Sequence, residues 1–167
     1  MTLPGRQRKL CLIGLAAGLM AAGLGLVAPA LPTRAGTSEW VVADRYSGLA
    51  ISGYDPVAYF VEGRAVAGRG DLEHALAGAV WRFRNAGNRA AFIANPDVYM
   101  PRFGGYDPVG VARGVTVPGD PRLWHLADER LYLFYSLDHQ AAFILDSDRT
   151  IATAERKWPP LRQALVR

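Results

Sequence analysis

The chain holds a single cysteine among its 167 residues, and that one, Cys11, lies inside an apolar run. If the N-terminal segment is removed, no thiol remains. Disulfides, thiolate metal ligands and a cysteine nucleophile are then excluded. Metal-ligand motifs are also scarce. His74, His125 and His139 are spaced too widely to put two ligands on one helix face, and neither CxxC nor HExxH occurs. Without cysteine, soft Cu(I) ligation is missing; an ion held by histidine and carboxylate would be a harder or borderline metal. Gly68-Arg69-Gly70-Asp71 lacks the following Lys-Ser/Thr at a helix start that a phosphate loop needs. Ser52, Ser136 and Ser147 have no nucleophile-elbow context. Charge of one sign is lacking too. The formal net charge is +4, but Arg6, Arg8, Lys9 and Arg34 sit in a segment without Asp or Glu, and the remainder carries 15 basic and 15 acidic residues. The main body has no cationic surplus for nucleic acid.

What is present begins with an export signature. Arg6, Arg8 and Lys9 precede an apolar run over residues 10–31, the order of a secretory signal. Ala28-Pro29-Ala30 offers a small-residue cleavage site, and Ala35 a second. The run also meets the roughly 20 residues that cross a bilayer. Residues 1–35 are therefore read as a signal peptide or membrane anchor, and residues 36–167 as one exported domain. That domain is either soluble after cleavage or tethered to the inner membrane by residues 10–31. The membrane is the partner this segment suggests; no sequence feature identifies a protein partner.

The remaining pattern predicts an α+β fold: a small single domain of short antiparallel strands and several short helices, preceded by an N-terminal apolar helix. Residues 36–49 read as a polar lead-in. Residues 49–61 read as a strand or extended loop carrying a turn. Residues 80–84 alternate, with Trp81 and Phe83 on one face, as in a half-buried strand. Asn85 caps a helix over 86–94, with Ala90, Phe92 and Ile93 toward the core, and Pro96 opens another turn through Tyr99. Gly104-Gly105 is a tight turn. A short helix over 109–113 ends at Gly114, and residues 115–121 are a loop. Residues 123–127 and 131–135 form a hairpin, 137–145 a helix, and Asp148 caps a last helix that Pro159-Pro160 ends. On that helix Ile151, Ala154 and Trp158 share a face.

One motif occurs twice, as Gly53-Tyr54-Asp55-Pro56-Val57 and Gly105-Tyr106-Asp107-Pro108-Val109. Two equivalent pocket walls, each offering a phenol and a carboxylate, are one reading, which makes Tyr54, Asp55, Tyr106 and Asp107 candidate binding residues. The other is turn chemistry, with each Asp satisfying backbone N–H groups. The flanking residues do not match, so a full domain duplication is not expected.

The stretch from Gly53 to Phe60, Gly78 to Phe83, Asn88-Arg89, Phe92, Asn95-Pro96, Tyr99 and Gly104-Gly105-Tyr106 resembles the exported YHS-domain family. Asp120-Pro121, Trp124, Leu131-Tyr132-Leu133, Tyr135 and Trp158-Pro159 continue the resemblance in order, over about residues 45–162. It implies a compact periplasmic α+β domain and association with a metal. Many members place Cys or selenocysteine directly after Gly-Gly-Tyr, where this chain has Asp107, so their thiol or selenol role does not transfer. His74 matches a family position before the strand tryptophan. His74 and Asp107 are thus the candidate ligands of a transition-metal ion. The leading expectation is a non-enzymatic periplasmic binding or accessory domain. The alternatives are a structural or interaction subunit of a membrane complex with a decayed ancestral site, and an enzyme using Asp55 and Asp107 as acid and base.

Overall fold

A computed structural model describes residues 40–166; the apolar helix and the signal or anchor reading of residues 1–35 lie outside the described residues. Among the described residues no helix is long and apolar enough to cross a membrane. The described residues form an α+β fold, with six α-helices and two two-stranded antiparallel sheets among them.

The chain runs twice through the same series of elements. A single-turn 3-10 helix at Ile51–Gly53 leads through Asp55 into α1 (Ala58–Val61). A hairpin follows, β1 (Arg69–Leu76) with β2 (Ala79–Phe83), then α2 (Ala86–Ala94) and α3 (Pro96–Tyr99). A second 3-10 turn at Arg102–Gly105 restarts the series through Asp107 into α4 (Pro108–Arg113). The second hairpin is β3 (Asp120–Ala127) with β4 (Arg130–Phe134), followed by α5 (Leu137–Leu145) and α6 (Ser147–Leu165).

The equivalence extends to register. His74 faces Trp81 in the first hairpin and His125 faces Tyr132 in the second; both hairpins carry a register shift in the first strand. Each closes through two residues with positive φ, Ala77-Gly78 (57° and 79°) and Asp128-Glu129 (49° and 57°), the twist that short hairpins favour. Asn85 caps α2 by accepting from the Asn88 amide, and Ser136 caps α5 by accepting from the His139 amide. The structure therefore overturns the expectation of an isolated motif: the duplication covers the whole unit. The flanks fail to match because equivalent positions keep a role, not a residue type.

Gly68 and Gly119 mark the same crossing in both units. A Cβ on Gly68 would lie 2.4 Å from the Arg82 carbonyl carbon, and one on Gly119 2.6 Å from the Leu133 Cβ. Only a bare backbone passes that close to the second strand. Gly119→Ala is expected to lose about 1–3 kcal/mol, read as a lower urea midpoint with unchanged slope; an unchanged midpoint would mean the loop can stand off from β4.

Two cores result. The first gathers Ile51, Val57, Tyr59, Trp81, Phe83 and Phe92, with Leu131 and Leu133 of β4. The second gathers Phe103, Val111, Tyr132, Phe134, Phe143 and Ala154. Alternate residues of β4 thus serve opposite cores, as the two-residue period of a strand requires. Tyr59, buried in the first core, donates its hydroxyl to the Pro121 carbonyl at 2.8 Å. Burial pushes its phenol pKa well above the ordinary value.

Several local readings need correction. Residues 49–61 hold the 3-10 turn and α1 rather than a strand. β1 falls where no strand is expected: its sequence RGDLEHAL is only partly buried, with Leu72 and Leu76 packed against the first core. β3 begins at Asp120, within residues read as loop. On α2 the inward residues are Asn88 and Phe92, while Ala90 and Ile93 face solvent. α6 starts at Ser147 and runs on to Leu165 with Pro159 and Pro160 inside it. Trp158, Leu161 and Leu165 pack against the second core, and that burial offsets the backbone donors the prolines lack.

Candidate functional site

Each Asp-Pro turn is built the same way. Asp55 is fully buried. Its Oδ1 accepts from the Val57 and Ala58 amides at 2.8 and 3.4 Å; its Oδ2 accepts from the Arg84 amide at 2.8 Å and Asn88 Nδ2 at 2.7 Å. Asp107 is also fully buried. Its Oδ1 accepts from the Val109 and Gly110 amides at 2.7 and 3.0 Å, and its Oδ2 accepts from the Tyr135 amide at 2.7 Å. The fourth contact is with His139 Nδ1 at 2.8 Å. Arg113 Nη1 lies 3.2 Å from His139 Nε2. A guanidinium has only donors, so Nε2 accepts and Nδ1 carries the hydrogen donated to Asp107. Each carboxylate ties the start of a short helix to the end of a strand and the first turn of the next helix.

These networks bear on the candidate residues. Asp55 and Asp107 close separate turns, each with its oxygens engaged in its own unit, so they do not form an acid–base pair facing one pocket. His74 lies on β1, with its ring 6.3 Å from Phe92 in the first unit. Asp107 is spent on four donors in the second. The two residues do not fit a shared metal ion, and among the described residues no group of three His, Cys, Asp or Glu is placed to hold one. Tyr106 is buried against Trp158, with ring centroids 5.9 Å apart.

Tyr54 has a different setting. It is half-buried and lines an open groove of about 530 Å³ where the two units meet. Ser52 and Tyr54 come from the first unit; Asp120, Pro121, Arg122 and Tyr135 come from the second. Ser52 stands at φ 56°, exposed at the lip. Arg122 grips Asp120 with two bonds, Nε to Oδ1 at 3.0 Å and Nη2 to Oδ2 at 2.7 Å. The Arg122 side-chain bonds hold the Asp120 carboxyl below its ordinary pKa. The groove thus presents two phenols, a fixed ion pair and a hydroxyl: groups that bind polar ligands and orient them, with no activated nucleophile among them.

Of the four candidate binding residues only Tyr54 lines the groove, and Asn88, Tyr135 and His139, which partner the two carboxylates, were not among the candidates. The signal was available: sliding Asp55 onto Asp107 brings Asn85 near Ser136 and Asn88 near His139, each a cap with its third residue on. Compared with family models, curated proteins and solved structures, the chain matches none of them.

Proposed function

We propose that the chain is an exported, non-enzymatic binding module of YHS type, built from two tandem units and holding a polar ligand in the groove between them. The observation that carries this reading is the division of labour within the repeated motif. Both Asp side chains are consumed in fixing the backbone, whereas Tyr54 opens into a groove shared by the two units. Pre-formed grooves with a few placed polar groups at the junction of two structural units are the usual setting for ligands.

Hydrogen exchange on the full chain, in buffer and in a periplasmic extract of its host, tests the reading. Protection is expected at residues 52–54 and 118–122, and Tyr54→Ala/Arg122→Ala should remove most of it. Unchanged exchange there, with protection elsewhere, would sink the groove. Titration calorimetry with Cu(II), Zn(II), Ni(II) and Fe(II) provides the metal arm. A stoichiometric site that weakens in both His74→Ala and Asp107→Asn would restore the metal reading over this one.

A second reading, an interaction subunit of a membrane complex, draws on α5. That helix turns Leu137, Ala141, Ile144 and Leu145 to solvent, and Leu145 is 87% exposed. Such a stripe is uncommon on a monomer surface. Leu145→Lys raising solubility without altering exchange in the groove would separate the two readings.

A further inference from the structure

On another part of the domain, a cleft of about 340 Å³ has Trp40 and Trp158 among its lining residues. Three guanidiniums from separate segments border it: Arg102 on the second 3-10 turn, Arg130 at the start of β4, and Arg162 on α6. Their partners differ in a way that matters. Arg102 Nη2 donates to Glu155 Oε1 at 2.5 Å, so its charge is offset. Arg130 Nη1 donates to the main-chain carbonyl of Asp97 at 2.8 Å. The Arg162 guanidinium sits over the Trp40 ring, 4.3 Å from its centroid. Among the described residues neither Arg130 nor Arg162 is paired with a carboxylate, although the Asp97 side chain shares the rim. Arg102 also has its Nε buried without a hydrogen bond.

The cleft is a consequence of backbone geometry. Gly104 (φ +65°) lets the Trp40 main chain lie against it; a Cβ there would fall 1.9 Å from the Trp40 carbonyl oxygen. The Val42 amide donates to the Gly104 carbonyl at 2.8 Å and fixes the approach. Arg162 reaches the cleft because α6 continues past the prolines that were expected to end it.

We propose that this cleft binds a small organic anion with a flat apolar body: a carboxylate or phosphate head held by Arg130 and Arg162, and a body lying against Trp40 and Trp158. A guanidinium held on a ring face keeps its donors free for an oxyanion in bidentate geometry. The space suits a small molecule and not a polymer. The site is separate from the groove at Tyr54, and either can fail without the other.

Titration of the full chain with phenyl phosphate, followed by calorimetry, tests it. Saturable binding is expected, weakened at least tenfold in Arg130→Gln/Arg162→Gln and also in Trp40→Ala, with benzyl alcohol giving no heat. Should the double variant unfold, Arg130→Gln alone serves, since its guanidinium gives up only a carbonyl contact. Monomeric dihexanoyl phosphatidylglycerol forms the second arm. Tighter binding than phenyl phosphate, with the same arginine dependence, would place the phosphate in a lipid headgroup and supports the proposal. Absence of saturable binding by phenyl phosphate, benzoate and the lipid, or equal binding by the variants, overturns it. Inorganic phosphate binding as tightly as phenyl phosphate overturns the apolar-body half.

Discussion

Asp107→Ala is expected to cost about 3–5 kcal/mol, because it leaves several donors of a buried hydrogen-bond network unpaired at once. The carboxylate is fully buried and takes hydrogen bonds from the Val109, Gly110 and Tyr135 amides and from His139 Nδ1. Alanine strands all four donors. Each buried donor left unpaired costs on the order of 1–3 kcal/mol. The total stays below their sum because Tyr135 is exposed and His139 half-buried, so water reaches part of the gap. Asp107→Asn should also destabilise, since its amide nitrogen must face either the Val109 and Gly110 amides or the Tyr135 amide and the His139 Nδ1 hydrogen. The first unit supplies the control. There an asparagine, Asn88, meets Asp55 from the position His139 occupies in the second. His139→Asn is therefore expected to change stability by less than about 1 kcal/mol, the net worth of one hydrogen bond. Urea unfolding of the three variants reads all of this. An Asp107→Ala protein as stable as its parent would mean that the turn holds without its carboxylate.

That contrast also explains what the sequence could and could not disclose. Helices α2, α4 and α5 were legible nearly to the residue because their ends are set by local chemistry: Asn85 at a cap, Asn95-Pro96 at a stop, Gly114 in the left-handed region at φ 90°. The second hairpin was legible because β4 runs apolar and aromatic from Leu131 to Phe134. β1 was not, because a partly buried strand paired on one edge carries few apolar residues. The duplication was hidden for a related reason. In β2, Val80 and Arg82 are half-exposed, whereas their counterparts Leu131 and Leu133 are fully buried in the first core. The same strand position thus calls for different residues once a second layer covers it. Trp81 and Tyr132 remain aromatic, and Asn85 and Ser136 remain caps, because those roles are the same in both units.

The candidate site was half legible on similar grounds. The two Gly-Tyr-Asp-Pro-Val strings are indistinguishable as text. Tyr106 is buried because the 19-residue α6 brings Trp158 onto it, while the four-residue α3 gives the first unit no such cover. Which tyrosine is left open to a groove is decided by a helix roughly fifty residues away in the sequence, a long-range fact that no motif encodes. The prolines hid only the far end of α6, since local rules stop the helix before Leu161 and Leu165, which also pack on the second core.

Phe92→Ala and Phe143→Ala should each cost about 3–5 kcal/mol, the usual loss for a fully buried phenylalanine. Both side chains have 0% exposure and hold the same place in their units. Phe92 lies 5.0 Å from Trp81, 5.2 Å from Phe83 and 6.3 Å from His74. Phe143 lies 4.9 Å from Tyr132, 5.1 Å from Phe134 and 6.1 Å from His125. Equivalent surroundings predict similar losses, a Tm lower by roughly 10–20 °C for a domain of this size. The more telling result is the shape of the transition. β4 sends Leu131 and Leu133 into the first core and Tyr132 and Phe134 into the second, and Tyr59 of the first unit bonds Pro121 of the second. Neither unit can lose its core without uncovering a face of β4 that the other requires. Both variants should therefore unfold in one step, with calorimetric and van't Hoff enthalpies equal as in the parent. Two resolved transitions in Phe92→Ala, the later one at the parental temperature, would show that the second unit stands alone and that the two cores are joined only by the chain.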